Sequence, residues 1–298
     1  MPRRSRVAIH TEPVTPLRNI AIQTILYGSH GQLPRLLRGL DRLETDGCNV
    51  VVRYFDNGPG EGPPSIVHSA RLRVPCHYAR SERGNIGFGA AQNLLAADAG
   101  EADYLLLLNP DTIPFHNMLL RLVAAAEANP RAAMIEAAQF PIEHQKAYDP
   151  ATGQTDWSCG AAVLVRGRMF RELDGFDERL FLYCEDVDLS WRAWLAGYEC
   201  IYEPLAKCVH VSQEEDIGKD RSAEIYNMEL GNLYLRAKYF GEHAVADHFD
   251  WLAGWAPAET IQRLRSDLAR IAPERPLGVS HPRITLNNDH RNYGPVRW

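Results

Sequence analysis

The run Tyr104-Leu105-Leu106-Leu107-Leu108 stops abruptly at Asn109-Pro110-Asp111. A run so short and so continuously apolar reads as a strand covered on both faces. Such strands belong to parallel sheets sandwiched between helices, so this run points to an α/β fold. The segments before it agree. A strand is expected over 19–26, then a helix over 33–43 with Leu33, Leu36, Leu37 and Leu40 at helical spacing. A second strand over 50–55 ends in Asp56-Asn57-Gly58-Pro59-Gly60, a turn by composition. Strand, helix and strand in this order predict a right-handed βαβ unit.

Further along, helices are expected over 89–99, 115–129 and 186–196, with strands over 132–138, 160–165 and 199–202. The pattern then turns helical, over 223–240, 243–255 and 257–271. A chain of 298 residues suffices for one large domain and an appendage. The expected organisation is a flexible segment over 1–18, an α/β domain over 19–221, a helical region over 222–272 and a tail over 273–298 that is irregular or wrapped on a partner surface. The helical region carries Tyr226, Tyr234, Tyr239, Phe240, Phe249, Trp251 and Trp255. These suit core packing, a homodimer face or a peripheral membrane contact, and the sequence does not choose among them.

Composition narrows the function. A net charge of −6 gives no electrostatic case for binding nucleic acid. No apolar run approaches the roughly 18 residues of a membrane span. The start, Met1-Pro2-Arg3-Arg4-Ser5-Arg6, is basic but has no apolar signal region after it. Cys48, Cys76, Cys159, Cys184, Cys200 and Cys208 have no CxxC spacing, so they read as reduced thiols in a cytoplasmic protein.

Ligands of open α/β sheets sit at the carboxyl ends of strands, where the strand order reverses. Three polar motifs fall at such ends: Tyr27-Gly28-Ser29, Asp56-Asn57-Gly58 and Asn109-Pro110-Asp111. Each alone is also an ordinary turn, since Asp, Asn and Gly are turn formers. The stretch from Arg83 to Asn93, with Gly84, Gly87 and Gly89, is a glycine-rich opening of a helix. Its N–H groups suit close approach to a nucleotide, or simply start a helix. It lacks the Gly-Lys-Ser/Thr of a P-loop and the spacing of a dinucleotide fingerprint. On a helix over 186–196, Val187, Trp191, Trp194 and Tyr198 form one apolar stripe, flanked by Asp186 on one side and Asp188 on the other. Asp188 can pair with Arg192 at i,i+4. Asp186 is left without a local partner, and helical geometry leaves it as either a helix cap or a general base.

The order of these segments resembles the family 2 glycosyltransferases of GT-A fold, and within them the rhamnosyltransferase-like branch. The resemblance rests on Asn85-Ile86-Gly87-Phe88 with Asn93, Leu108-Asn109-Pro110-Asp111 and Gly160-Ala161-Ala162. It continues in Gly175-Phe176-Asp177-Glu178, in Tyr183 with Glu185-Asp186-Val187-Asp188-Leu189 and Arg192, and in Val209-His210-Val211-Ser212. It covers roughly residues 19–212. It implies an inverting enzyme that moves a sugar from a dTDP- or UDP-sugar to a hydroxyl on a glycan, lipid-linked or small-molecule acceptor, in the cytoplasm or at the inner membrane face. Asp186 would be the catalytic base. Tyr27, Gly28, Asp56, Asn57, Asn85, Gly87, Asn93, Asn109 and Asp111 would receive the nucleotide sugar. Asp111, with His210, would hold Mg²⁺ or Mn²⁺. Trp157, Gly160, Glu185 and Arg192 would face donor sugar or acceptor, Arg192 either reaching a phosphate or supporting Asp188.

Three departures bear on the donor base. Leu26-Tyr27-Gly28 stands where the branch has Thr-Tyr-Asn, Pro59 where Ser is usual, and Asn109 leaves one carboxylate in the metal motif. A non-catalytic sugar-nucleotide-binding protein is the alternative these permit, and a nucleotidyltransferase is a further one. The missing fingerprint argues against a dehydrogenase.

Overall fold

The computed structural model describes residues 17–29, 31–58, 72–211, 220–286 and 293. Most of the expected N-terminal segment, Pro59 and Gly60 of the second turn, and Ser212 of the last motif lie outside the described residues.

Strand β1 (Arg18–Leu26) is followed by helix α1 (Leu33–Asp41), then by β2 (Cys48–Asp56) and β3 (Cys76–Arg80). Helix α2 (Phe88–Ala99) leads into β4 (Tyr104–Leu108), β5 (Thr112–Pro114) and α3 (Met118–Ala128). Strands β6 (Ala132–Phe140) and β7 (Ala162–Arg166) precede the short α4 (Gly167–Glu172), then α5 (Glu185–Leu195) and the long β8 (Glu199–His210). Among the described residues these strands make one sheet in the order β3-β2-β1-β4-β7-β6-β8-β5. The parallel pairs are β1 with β2 and β4, β2 with β3, and β6 with β8. Strand β7 runs antiparallel to β4 and β6, and β5 antiparallel to β8. The order reverses at β1, with β2 on one side and β4 on the other, which opens a crevice at their carboxyl ends.

The Leu-rich strand lies where its composition demands, with all five residues buried. Leu106 and Leu108 face one layer with Leu33, Leu36 and Leu40 of α1 and Leu119 of α3. Leu105 and Leu107 face the other, with Phe170, Phe176 and Leu189. Strands β3 and β5 and helix α4 escape the sequence pattern. The first, Cys-His-Tyr-Ala-Arg, is a polar edge strand, and the second is only three residues long.

Helices α6 (Ser222–Leu235), α7 (Glu242–Ala253) and α8 (Ala258–Ile271) form the helical region, with a π-helical turn over Arg236–Phe240 after α6. Their aromatics divide. Tyr234, Tyr239 and Phe249 are buried in one cluster with Trp191 of α5 and Trp157, whereas Trp255 is half exposed. Within residues 273–286 and 293 the chain forms no helix and only an isolated bridge, and it packs on its own chain. Leu277 and Val279 donate to the carbonyls of Lys238 and Tyr239, and Ile284 and Tyr293 are buried. No helix among the described residues is long and apolar enough to cross a membrane. All six cysteines are free.

Candidate active site

The ends of β1 and β2 meet. Leu26 pairs with Asp56, and a Cβ added at Gly58 would come within 3.5 Å of the Gly28 nitrogen and 3.7 Å of Tyr27 Cα. Gly28 adopts φ +63°, open to glycine at no steric cost, and the Tyr27 side chain is exposed beside it. The buried Asp56 carboxylate accepts from the Tyr78 hydroxyl at 2.8 Å and the Gly58 N–H at 3.0 Å. Burial, and then this carboxylate, push the Tyr78 phenol well up. Asn57 fastens the glycine-rich loop. Its amide donates to Asn85 Oδ1 (2.8 Å) and the Gly87 carbonyl (3.0 Å), and its oxygen accepts the Ile86 N–H (2.9 Å). Gly87 is required there: φ is +91°, and a Cβ would stand 2.6 Å from the Phe181 carbonyl oxygen. That carbonyl already accepts the Phe88 N–H at 2.9 Å.

A second group gathers where β4 ends. Strand β5 pairs Thr112 with His210 at the end of β8. This sets Asp111 Oδ2 3.2 Å from His210 Nε2, both side chains largely buried. The other ring nitrogen, Nδ1, lies 2.8 Å from Gln139 Oε1. With Nδ1–H donating to this oxygen, the lone pair of Nε2 points toward Asp111, the arrangement a metal-ligating histidine needs. Among the described residues no cluster of three His, Cys, Asp or Glu side chains could hold a metal. A pair supplying one oxygen and one imidazole nitrogen suits Mn²⁺ or Mg²⁺ whose remaining ligands are phosphate and water.

Asp186 stands at the second position of α5, half-buried. It is not the N-cap; that place belongs to Cys184, in the left-handed region at φ +68°. One carboxylate oxygen accepts the Val187 N–H (2.8 Å) in its own first turn. The other reaches across to the Gly160 N–H at 2.9 Å. A Cβ added at Gly160 would meet Asp186 Oδ2 at 3.6 Å and the Phe88 ring at 3.5 Å, ordinary contact distances that mark how closely the three residues pack. The next residue, Ala161, accepts the Asn109 N–H at 2.9 Å, so a backbone bond joins the end of β4 to the Gly160 loop. Burial pushes the Asp186 carboxyl above its usual range, opposed by the Gly160 and Val187 N–H groups. Glu185 is more deeply buried; burial and then the Asp186 charge push it well up.

Three expected site residues sit elsewhere than in the crevice. Asn93 ties α2 to the Gly175-Phe176 turn, donating to the Phe176 carbonyl (2.9 Å) and accepting its N–H (2.8 Å). Arg192 is taken up beneath α5. It donates to Asp188 (2.7 Å) and to the carbonyls of Leu173 (2.6 Å) and Gly175 (2.7 Å). Of its two expected roles, the geometry matches support of Asp188. Trp157 is buried, with the Lys146 ammonium 4.0 Å from its ring centroid and His144 edge-on at 5.4 Å.

The sequence pattern did not single out Tyr78, Glu136, Lys146, Lys238 or Tyr293. Glu136 and Lys146 form a buried ion pair, and Glu136 also accepts the Cys159 N–H at 2.7 Å, one residue before Gly160. Lys238 bridges Asp177 (2.9 Å) and Asp188 (2.6 Å). Such partners meet only across long stretches of chain, so no local spacing announces them.

No protein-family model matches the chain. It is 28% identical over 251 residues to N-acetylglucosaminyl-diphospho-decaprenol L-rhamnosyltransferase of Mycobacterium tuberculosis, covering 69% of this chain and 80% of that protein. It is 27% identical over 254 residues to rhamnosyltransferase WbbL of Escherichia coli, covering 72% and 92%. The fold matches the mannosyltransferase PcManGT of Pyrobaculum calidifontis, solved with GDP-Man and Mn²⁺ (TM-score 0.57, 15% identity, 94% of this chain and 81% of that one). It also matches TarS of S. aureus (TM-score 0.57, 14% identity, 86% of this chain), of which the present chain spans about half, 49%.

Proposed function

We propose, from the premise that this chain is a rhamnosyltransferase-like glycosyltransferase of GT-A fold, that it transfers a deoxyhexose such as rhamnose from a nucleotide diphosphate to a hydroxyl of a lipid-linked acceptor, with inversion. The observation that carries this reading is the Asp186 carboxylate, held by the Gly160 N–H beside a strand end bearing Asp111 and His210. The decaprenol-linked acceptor in the name of the mycobacterial relative supports the acceptor class, and with it work at a membrane surface.

Asp56, Asn57 and the Asn85–Gly87 loop receive the nucleoside, with Tyr27 exposed above them. Asp111 and His210 hold a divalent ion, which supplies Lewis-acid stabilisation of the leaving diphosphate when bound. Asp186 accepts the proton of the acceptor hydroxyl on a carboxylate oxygen as the hydroxyl oxygen attacks the anomeric carbon and the bond to the diphosphate breaks. One displacement from the opposite face inverts the centre. A base raised by burial is better matched to neutral pH than an ordinary aspartate. Glu185 and the turn at Gly160 border the acceptor side.

The test is Asp186→Asn, with transfer of labelled sugar and donor affinity measured side by side. Transfer is expected to vanish while donor binding persists. Turnover near the wild-type rate would overturn Asp186 as the base.

A further inference from the structure

The C-terminal tail returns under the helix that carries the base. Tyr293 is buried, 107 residues beyond Asp186, and a backbone bridge to Leu286 fixes it. Its phenol oxygen lies 3.1 Å from the Cys184 sulfur. Its carbonyl accepts the Trp157 indole N–H at 3.2 Å. Its ring meets Trp191 of α5 edge-on at 5.6 Å between centroids, and Trp157 at 6.3 Å.

These contacts fall on both sides of one bond. Cys184 lies two residues before Asp186, and Trp157 three residues before Gly160, whose N–H holds the Asp186 carboxylate. The Tyr183-Cys184 turn is itself strained, with φ +69° and +68° in residues that are not glycine. Such a conformation persists only where its surroundings dictate it. On the other side α6 closes in, since a Cβ at Gly231 would lie 2.9 Å from both the Cys184 sulfur and the Tyr183 carbonyl. Cys184 is therefore gripped between α6 and the tail.

We propose that Tyr293 is a positioning residue for catalysis: it clamps the Cys184 turn and the Trp157 loop together, so that Asp186 is held against Gly160 and aimed at the acceptor. The proposal rests on Asp186 as the base. It makes Tyr293 of the C-terminal tail part of the active-site framework, acting through Cys184 and Trp157.

The experiment compares Tyr293→Ala and Tyr293→Phe in the full chain by hydrogen–deuterium exchange, by donor affinity and by kcat. Tyr293→Ala should speed amide exchange at 185–188 by about tenfold or more, leaving β1 and β4 unchanged. Donor affinity should stay within about twofold while kcat falls by about tenfold or more, because a small misplacement of a reacting group is costly. Tyr293→Phe keeps ring and carbonyl and should recover most of kcat. Unchanged exchange at 185–188, exchange rising equally throughout the sheet, or kcat and donor affinity falling in step would each overturn the proposal. Should Tyr293→Ala fail to fold, Tyr293→Leu, which also removes the ring and the hydroxyl, is read in the same three measurements, and the same outcomes decide. If the wild-type chain transfers no sugar, the proposed function fails, and the exchange data still decide whether Tyr293 holds the turn.

Discussion

Asp186 and Asp188 are one residue apart and chemically identical, yet neutralising them should have opposite consequences. Asp188 is fully buried and accepts from Arg192 Nε (2.7 Å), Lys238 Nζ (2.6 Å) and the Tyr239 hydroxyl (2.8 Å). Asp188→Ala removes the acceptor for two cations and a phenol inside the protein. Breaking a buried ion pair from one side costs about 3–5 kcal/mol. The low end applies here. Lys238 keeps Asp177 at 2.9 Å, Arg192 keeps the Leu173 and Gly175 carbonyls, and the Tyr239 hydroxyl keeps a longer bond to the Asp188 carbonyl at 3.4 Å. A loss of about 3 kcal/mol is expected. Asp186→Asn should cost about 1 kcal/mol, because burial already disfavours the Asp186 charge, while the amide keeps one acceptor oxygen and turns its NH2 toward either the Gly160 or the Val187 N–H. Urea unfolding of both variants reads this from the midpoint at unchanged m-value. A cost below about 1 kcal/mol for Asp188→Ala, or equal costs for the two variants, would refute the division of labour.

Four further outcomes are expected. The acidic limb of kcat/KM should lie above the usual aspartate range, activity being lost as pH falls through the raised pKa of Asp186. Glu136→Gln should move that limb to lower pH, since it removes a repelling carboxylate and leaves the Lys146 cation; an upward shift would contradict this. Burial pushes Asp177 up, but its bonds from Arg179, Tyr234 and Lys238 outweigh this and hold it well below the usual range. Its stabilisation is thus present above the unfolded pKa of about 3.9 and lost as pH falls below it, so the acid unfolding curve of Asp177→Asn should be flatter there. Chelation of divalent ions should abolish transfer and Mn²⁺ restore it, with His210→Ala needing about tenfold more metal, read from activity against free Mn²⁺. Gly87→Ala should weaken donor binding and destabilise by about 1–3 kcal/mol through its positive φ and the Phe181 carbonyl, as calorimetry and denaturation would report.

Much of the sheet was legible because burial writes itself into periodicity. The Leu-rich strand matched its expected bounds at Tyr104–Leu108, and the three C-terminal helices appeared where apolar spacing put them. The strand-end motifs were legible because only turn formers and polar residues suit the rim of a crevice. Expectation and position parted for Asn93 and Arg192. Both stand in motifs of the resemblance, yet their side chains bond to the backbone around Gly175 and Phe176. A motif preserves residues that hold the site together as readily as residues that line it.

By itself, then, the sequence determined the α/β class, the strand ends that frame the crevice and the separation of Asp186 from Asp188, because each follows from spacing within a few residues. It left Asp186 divided between cap and base. Tertiary structure set Cys184 at the cap position and carried the Gly160 N–H, 26 residues away, onto the Asp186 carboxylate. It also brought Lys238 to Asp188 and Tyr293 to Cys184. Those contacts join residues with no common period, and only packing of the C-terminal helices and tail against α5 could decide them.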